Sequence, residues 1–110
     1  MNIHKFTDLA NRITERDIPA PLLDQLNLGI AVISDKQEED DYYVMGEYIE
    51  NGMGCHVVLY YGSFLAVLSG ESQEAWEEEI RDTIQHELQH HIESLAGEEN
   101  LARQEEEDDS

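Results

Sequence analysis

The stretch Glu79–Gly97, EIRDTIQHELQHHIESLAG, carries three of the chain's five histidines. Its spacing predicts a helix with two unlike faces. At about 100° per residue, His90 lies about 40° round from His86, Asp82 about −40°, Glu79 about +20° and Glu93 about −20°. These side chains form one polar stripe. Ile80, Ile84, Leu88 and Leu95 gather on roughly the opposite side, at about 120–200°. One face therefore packs into a core and the other presents His86 and His90. His91, at about 140°, sits on the edge of the apolar face, where it packs or hydrogen-bonds rather than binding an ion.

Two imidazoles one helical turn apart can converge on a single metal ion. Glu87 stands about 100° round from His86, within reach of a water on that ion, and can act as its general base. Zinc lowers the pKa of bound water to roughly 7 and polarises a carbonyl. This is the H-E-x-x-H logic of a metallopeptidase, and the chain's own composition gives it a chance match of only about 3%. The competing reading is a plain polar helix face without a metal.

The rest of the chain sets the frame. It has 110 residues, enough for one domain (1–110) with a modest core. Twenty-six acidic residues face six basic ones, for a formal charge of −20. Such a charge repels nucleic acid and anionic lipid, and favours cations and basic partners. Part of it lies in QEEEDDS, Gln104–Ser110, which reads as a solvated acidic tail. Cys55 is the single cysteine, so no internal disulfide can form and a reducing compartment is compatible. MNIHKFTDLANR has no apolar signal core, and no run approaches the ~18 apolar residues of a membrane span. The expectation is a cytoplasmic protein.

FTDLANRIT has helical spacing at Phe6, Leu9, Ala10 and Ile13. Pro19 and Pro21 end that helix and start a short second one with Leu22, Leu23 and Leu26 inward. Gly29–Ser34 reads as a buried strand and Asp35–Asp41 as a solvated loop. YYVMGEYIE and CHVVLYY read as strands joined by hairpin chemistry at Asn51–Gly54. GSFLAVLSG reads as a short helix, with Ser63 as N-cap and Gly70 at its end. Ser72 caps the long helix, Gly97 stops it, and ENLARQEEE is a last helical stretch. Helices, three strands and further helices make an α+β layout, a three- to four-stranded sheet packed on the long helix.

The motifs MGEYIENG, VVLYYGSF and ESQEAWEEEIRDTIQHELQHHIESLAG, with FTDLANR and IPAPLLDQLNLGIAV before them, resemble the small bacterial metallopeptidase-like zincin family over nearly the whole chain. The resemblance implies a minimal zincin fold, zinc on His86 and His90, Glu87 as base, and a peptide or protein substrate. The sequence departs from the family's H-E-x-x-H-x-x-G-x-x-D pattern: position +7 is Glu93, and Gly97 comes at +11. Two third ligands follow as expectations. Glu93 is on the right face but about 7 Å along the axis from the middle of the histidine pair. Glu105 serves if the segment after Gly97 turns back as an antiparallel helix, an arrangement similar to that of gluzincins; Glu98 and Glu99 stand behind these two.

Other candidates have ordinary readings. Cys55, Trp76 and Phe64 belong to a core. His56 is a strand residue, with a place near the cleft as its sharper reading. Tyr60 and Tyr61 alternate across a strand, one inward and one able to donate to an oxyanion. Glu79 and Asp82 suit either a helix start or support of the metal site. The main expectation is a zinc-dependent peptidase. Its rival is a non-catalytic zinc-binding or interaction module with the same shell and an acidic surface.

Overall fold

The computed structural model describes the backbone of residues 1–108 and the side-chain surroundings of residues 1–97. Helix α1 spans Ile3–Asp17, and the Asn2 side chain caps it by accepting the Lys5 N–H at 2.9 Å. Its buried face is Phe6, Leu9, Ala10 and Ile13, the i, i+3, i+4, i+7 set of an amphipathic helix. Pro19 caps α2, Ala20–Gln25, and Leu26 beyond it is buried.

Strand β1 is Ile30–Ile33; β2, Gln37–Glu39, and β3, Tyr42–Val44, form a separate antiparallel hairpin. Strands β4, Gly46–Asn51, and β5, Gly54–Tyr60, form the second hairpin, turning where Asn51–Gly54 was expected to turn. The main sheet has the order β1-β5-β4, with β1 parallel to β5 and β4 antiparallel to it. Helix α3 is Tyr61–Leu68, and α4 runs Gln73–Asp108. The fold class is the expected α+β, a three-stranded sheet packed on the long helix.

One face of β5 offers Cys55, Val57 and Leu59 to a core shared with Phe6 and Leu9 of α1, Phe64 of α3 and Ile80, Ile84 and Leu88 of α4. Aromatic rings join the three helices: Phe6 lies 4.9 Å from Phe64 and 6.2 Å from Trp76, centroid to centroid. An ion pair adds a polar clasp between α1 and α4, with Arg81 Nε donating to Asp17 Oδ2 at 2.8 Å.

Five local expectations are corrected. YYVMGEYIE is not one strand but breaks at Met45. Part of the expected loop, Gln37–Glu39, pairs with the first piece as β2. Ser63 does not cap α3, whose N-cap is Tyr60. It is fully buried and clips the hairpin instead, accepting the Gln37 N–H at 2.9 Å and donating to Gln37 O at 3.2 Å. Tyr61 is helical rather than a strand residue alternating with Tyr60. Gly97 does not stop α4. An interior glycine costs a helix only about 1 kcal/mol relative to alanine, and the good helix formers on both sides outweigh that.

Two glycines matter for the site. A Cβ on Gly46 would lie 2.9 Å from Thr83 Cγ2 and 3.0 Å from Val58 O, so its bareness lets α4 approach the sheet. Gly54 has φ +140°, and a Cβ there would collide with the Asn27 side chain. That amide fastens the turn to α2's exit: Asn27 Oδ1 accepts the Cys55 N–H at 2.9 Å, and Nδ2 donates to Met53 O at 3.2 Å.

Candidate metal centre

Helix α4 buries the predicted face. Ile80 and Ile84 are fully buried and Leu88 nearly so, while His86 and His90 stand exposed on the other side. Leu95, expected on the apolar face, is 36% exposed, because it lies beyond the end of the core. Glu87 falls between the faces and is only 8% exposed. His86, Glu87 and His90 bring their possible ligand atoms within 4.8 Å of one another, close enough to share a metal ion. The two imidazoles meet edge to face, 4.9 Å between centroids.

This donor set fits zinc. Donors around a tetrahedral ion with bonds of about 2.1 Å sit about 3.4 Å apart, a contraction that rotation of two exposed imidazoles can supply. Burial pushes the Glu87 carboxyl above the ordinary carboxylate range. The neighbouring His90 and His86 and the Tyr48 backbone pull it back, and Glu47 adds a further push upward. A carboxyl so placed is a better proton acceptor at neutral pH than an exposed one.

The group opens on a cleft of about 1140 Å³ between α4, strand β4 and the β2–β3 hairpin. Strand β4 is an edge of the main sheet, so one side of its backbone is unpaired in the sheet, and its Gly46, Glu47 and Tyr48 line the cleft. Beneath the helix, His91 is 1% exposed, and its Nδ1 lies 2.9 Å from the Tyr48 hydroxyl and 3.9 Å from Cys55 Sγ. It faces the core as its position on the helix predicts.

The third-ligand candidates separate. Glu93 lines the cleft, with Oε2 3.9 Å from His90 Nδ1, but it is 64% exposed and lies outside the three-residue group. Continuous helix after Gly97 does not make the return on which Glu105 depended; the side chains of Glu98, Glu99 and Glu105 lie outside the described residues. The position of aspartate in H-E-x-x-H-x-x-G-x-x-D is Ala96, which has no donor. His56 faces away from the core side of β5 by strand alternation and does not line the cleft. Glu79 and Asp82 do line it. Sequence reasoning missed Tyr48, whose phenol and backbone reach both sides of the metal helix. Its only signal was a place in MGEYIENG.

A family model for zincin-like metallopeptidases matches residues 41–107, which contain the edge strand and the whole histidine group. The chain belongs to the zincin-like metallopeptidase family. Among solved structures it is similar to a conserved hypothetical protein from Thermo thermophilus. The two share 34% identity and a TM-score of 0.79, over 88% of this chain and 99% of that one. No curated protein matches the chain.

Proposed function

We propose that the chain is a zinc-dependent peptidase of one domain that hydrolyses peptide bonds in an extended substrate laid along β4. The observation that carries this reading is the pairing of a buried carboxylate, Glu87, with two exposed imidazoles on one open cleft. His86 and His90 would hold the ion. When bound, zinc supplies the Lewis acidity that makes water nucleophilic near neutral pH and polarises the scissile carbonyl. Glu87 takes the proton from the attacking water and passes it to the leaving amine. The unpaired edge of β4 aligns the substrate backbone by strand addition.

A second reading, a zinc-binding or interaction module without catalysis, draws on one observation. Beyond Glu87 the group offers two histidines, and the family's aspartate position is Ala96. One experiment separates the two. Metal content of the purified chain and cleavage of a peptide library are measured for the native sequence, Glu87→Gln and His90→Ala. The peptidase reading expects about one zinc per chain, cleavage by the native sequence, retained zinc without cleavage in Glu87→Gln, and lost zinc in His90→Ala. Cleavage undiminished in Glu87→Gln would overturn it. Zinc bound with no cleavage of any peptide favours the module.

A further inference from the structure

The walls of the cleft have a chemistry that the metal group does not require. Glu39 and Glu47 line it from the strands, and Glu79, Asp82, Glu87 and Glu93 from α4. No Lys or Arg lines it among the described residues. A divalent ion offsets two of these six charges and leaves the cleft strongly negative. Among the described residues, Arg81 and Arg16 pair with Asp17, and Lys36 with Glu38, all outside the cleft lining. Tyr42 and Tyr43 stand on the same wall as Glu39. The hairpin already shows what such a surface does with an ammonium group. Lys36 Nζ sits 5.6 Å from the Tyr43 ring centroid and 3.1 Å from Glu38.

We propose that the cleft selects cationic peptide segments, through Glu39 and Tyr42 of the hairpin and Glu79 and Asp82 of α4. The inference rests on the peptidase reading and names its substrate class. Glu79 and Asp82 precede His86 by about 10 Å and 6 Å along the helix axis. An extended substrate advances about 3.3 Å per residue, so the favoured Lys or Arg lies about two to three residues from the scissile bond. Lys and Arg suit the site because a long apolar stem can lie on a tyrosine ring while the charged end reaches a carboxylate. An acidic side chain at the same place meets like charges at close range.

The test uses the zinc-loaded full chain. Labelled decapeptides share a neutral host sequence and carry a single Lys, Glu or Gln at successive positions. Binding is measured by anisotropy on the Glu87→Gln protein, and cleavage by mass spectrometry on the native sequence. The Lys peptides are expected to bind about tenfold more tightly than Gln peptides, and Glu peptides more weakly than either, a span that close charge pairs support. Asp82→Lys removes the preference, whereas Glu15→Lys, the same reversal on the exposed side of α1, leaves it within about twofold. Equal binding of Lys and Gln peptides, or equal loss from the two reversals, overturns the inference. Cleavage without Lys preference sinks it and spares the peptidase reading. Selective binding without cleavage by the native protein does the opposite.

Discussion

The Tyr48 hydroxyl lies 2.9 Å from His91 Nδ1, a polar contact that joins α4 to the edge strand beside its apolar face. Tyr48 belongs to the edge strand and His91 follows a candidate ligand directly in sequence. A rotation of α4 that moved His90 would have to break this pair. The Tyr48 phenol is held protonated, its pKa raised by burial first and by the neighbouring Cys55 and Glu50 next. Tyr48→Phe is expected to destabilise the protein by about 1–2 kcal/mol, because it strips a buried imidazole of its partner. Removing both groups in Tyr48→Phe/His91→Leu should recover part of that loss. Urea unfolding of the two variants checks this, and equal stability of Tyr48→Phe and the native sequence would contradict it.

Gly46 controls how closely α4 approaches. Gly46→Ala places a Cβ against Thr83 Cγ2 and Val58 O, at 2.9 and 3.0 Å. The strain of such overpacking is typically about 1–3 kcal/mol. A shift of α4 also moves Glu87 relative to β4, so peptide cleavage should fall with stability. Thr83→Ser removes the methyl and should restore part of both. Urea unfolding and peptide cleavage of the single and double variants read the effect; an unchanged unfolding midpoint in Gly46→Ala would count against the close-approach account.

Ser63 ties the hairpin to α3 through both backbone groups of Gln37. Ser63→Ala leaves those groups without their partner and should cost about 1–3 kcal/mol. The loss is local. Hydrogen exchange should quicken in Gln37–Val44 while the amides of β5 keep their protection, and uniform acceleration across the sheet would refute the assignment.

The Asp17–Arg81 clasp gives a pH signature. Hydrogen bonds from Arg16 first, then Arg81, hold the Asp17 carboxyl below its ordinary value. A carboxylate with a lowered folded pKa contributes stability above its unfolded pKa and loses it as pH falls through the folded one. Asp17→Asn should therefore lower Tm near neutral pH, with the gap to the native sequence closing as pH drops through and below the ordinary carboxylate range. Thermal melts from acid to neutral pH check the direction; a gap that widens in acid would reverse it.

Much of this architecture was legible because helix periodicity is a local property. The two faces of α4 follow from spacing alone, and Ile80, Ile84, Leu88 and His91 are buried where that spacing puts them. Asn51–Gly54 turns because its residues suit a turn. What escaped was tertiary. The break at Met45 precedes Gly46, whose bareness admits Thr83, a contact 37 positions away in sequence. The β2–β3 pairing of a highly acidic segment is anchored by Ser63, which carries no strand signal. Gly97 reads as a stop by residue type, yet its cost is small beside the helix formers around it. The His86, Glu87 and His90 group was legible because it sits on one helix. A third ligand from another element leaves no such local trace.

The sheet order has a consequence for synthesis. Strand β5, the centre of the sheet, ends at Tyr60, and all three strands of the main sheet precede it or end with it. The histidines come later, on α4. As the chain emerges N-terminus first, every strand of the platform has been synthesised before either imidazole of the group. The two candidate ligands therefore arrive on a single late helix that also brings Ile80, Ile84 and Leu88 to the core under β5, so a chain cut short before α4 loses the sheet's packing partner together with the candidate metal group.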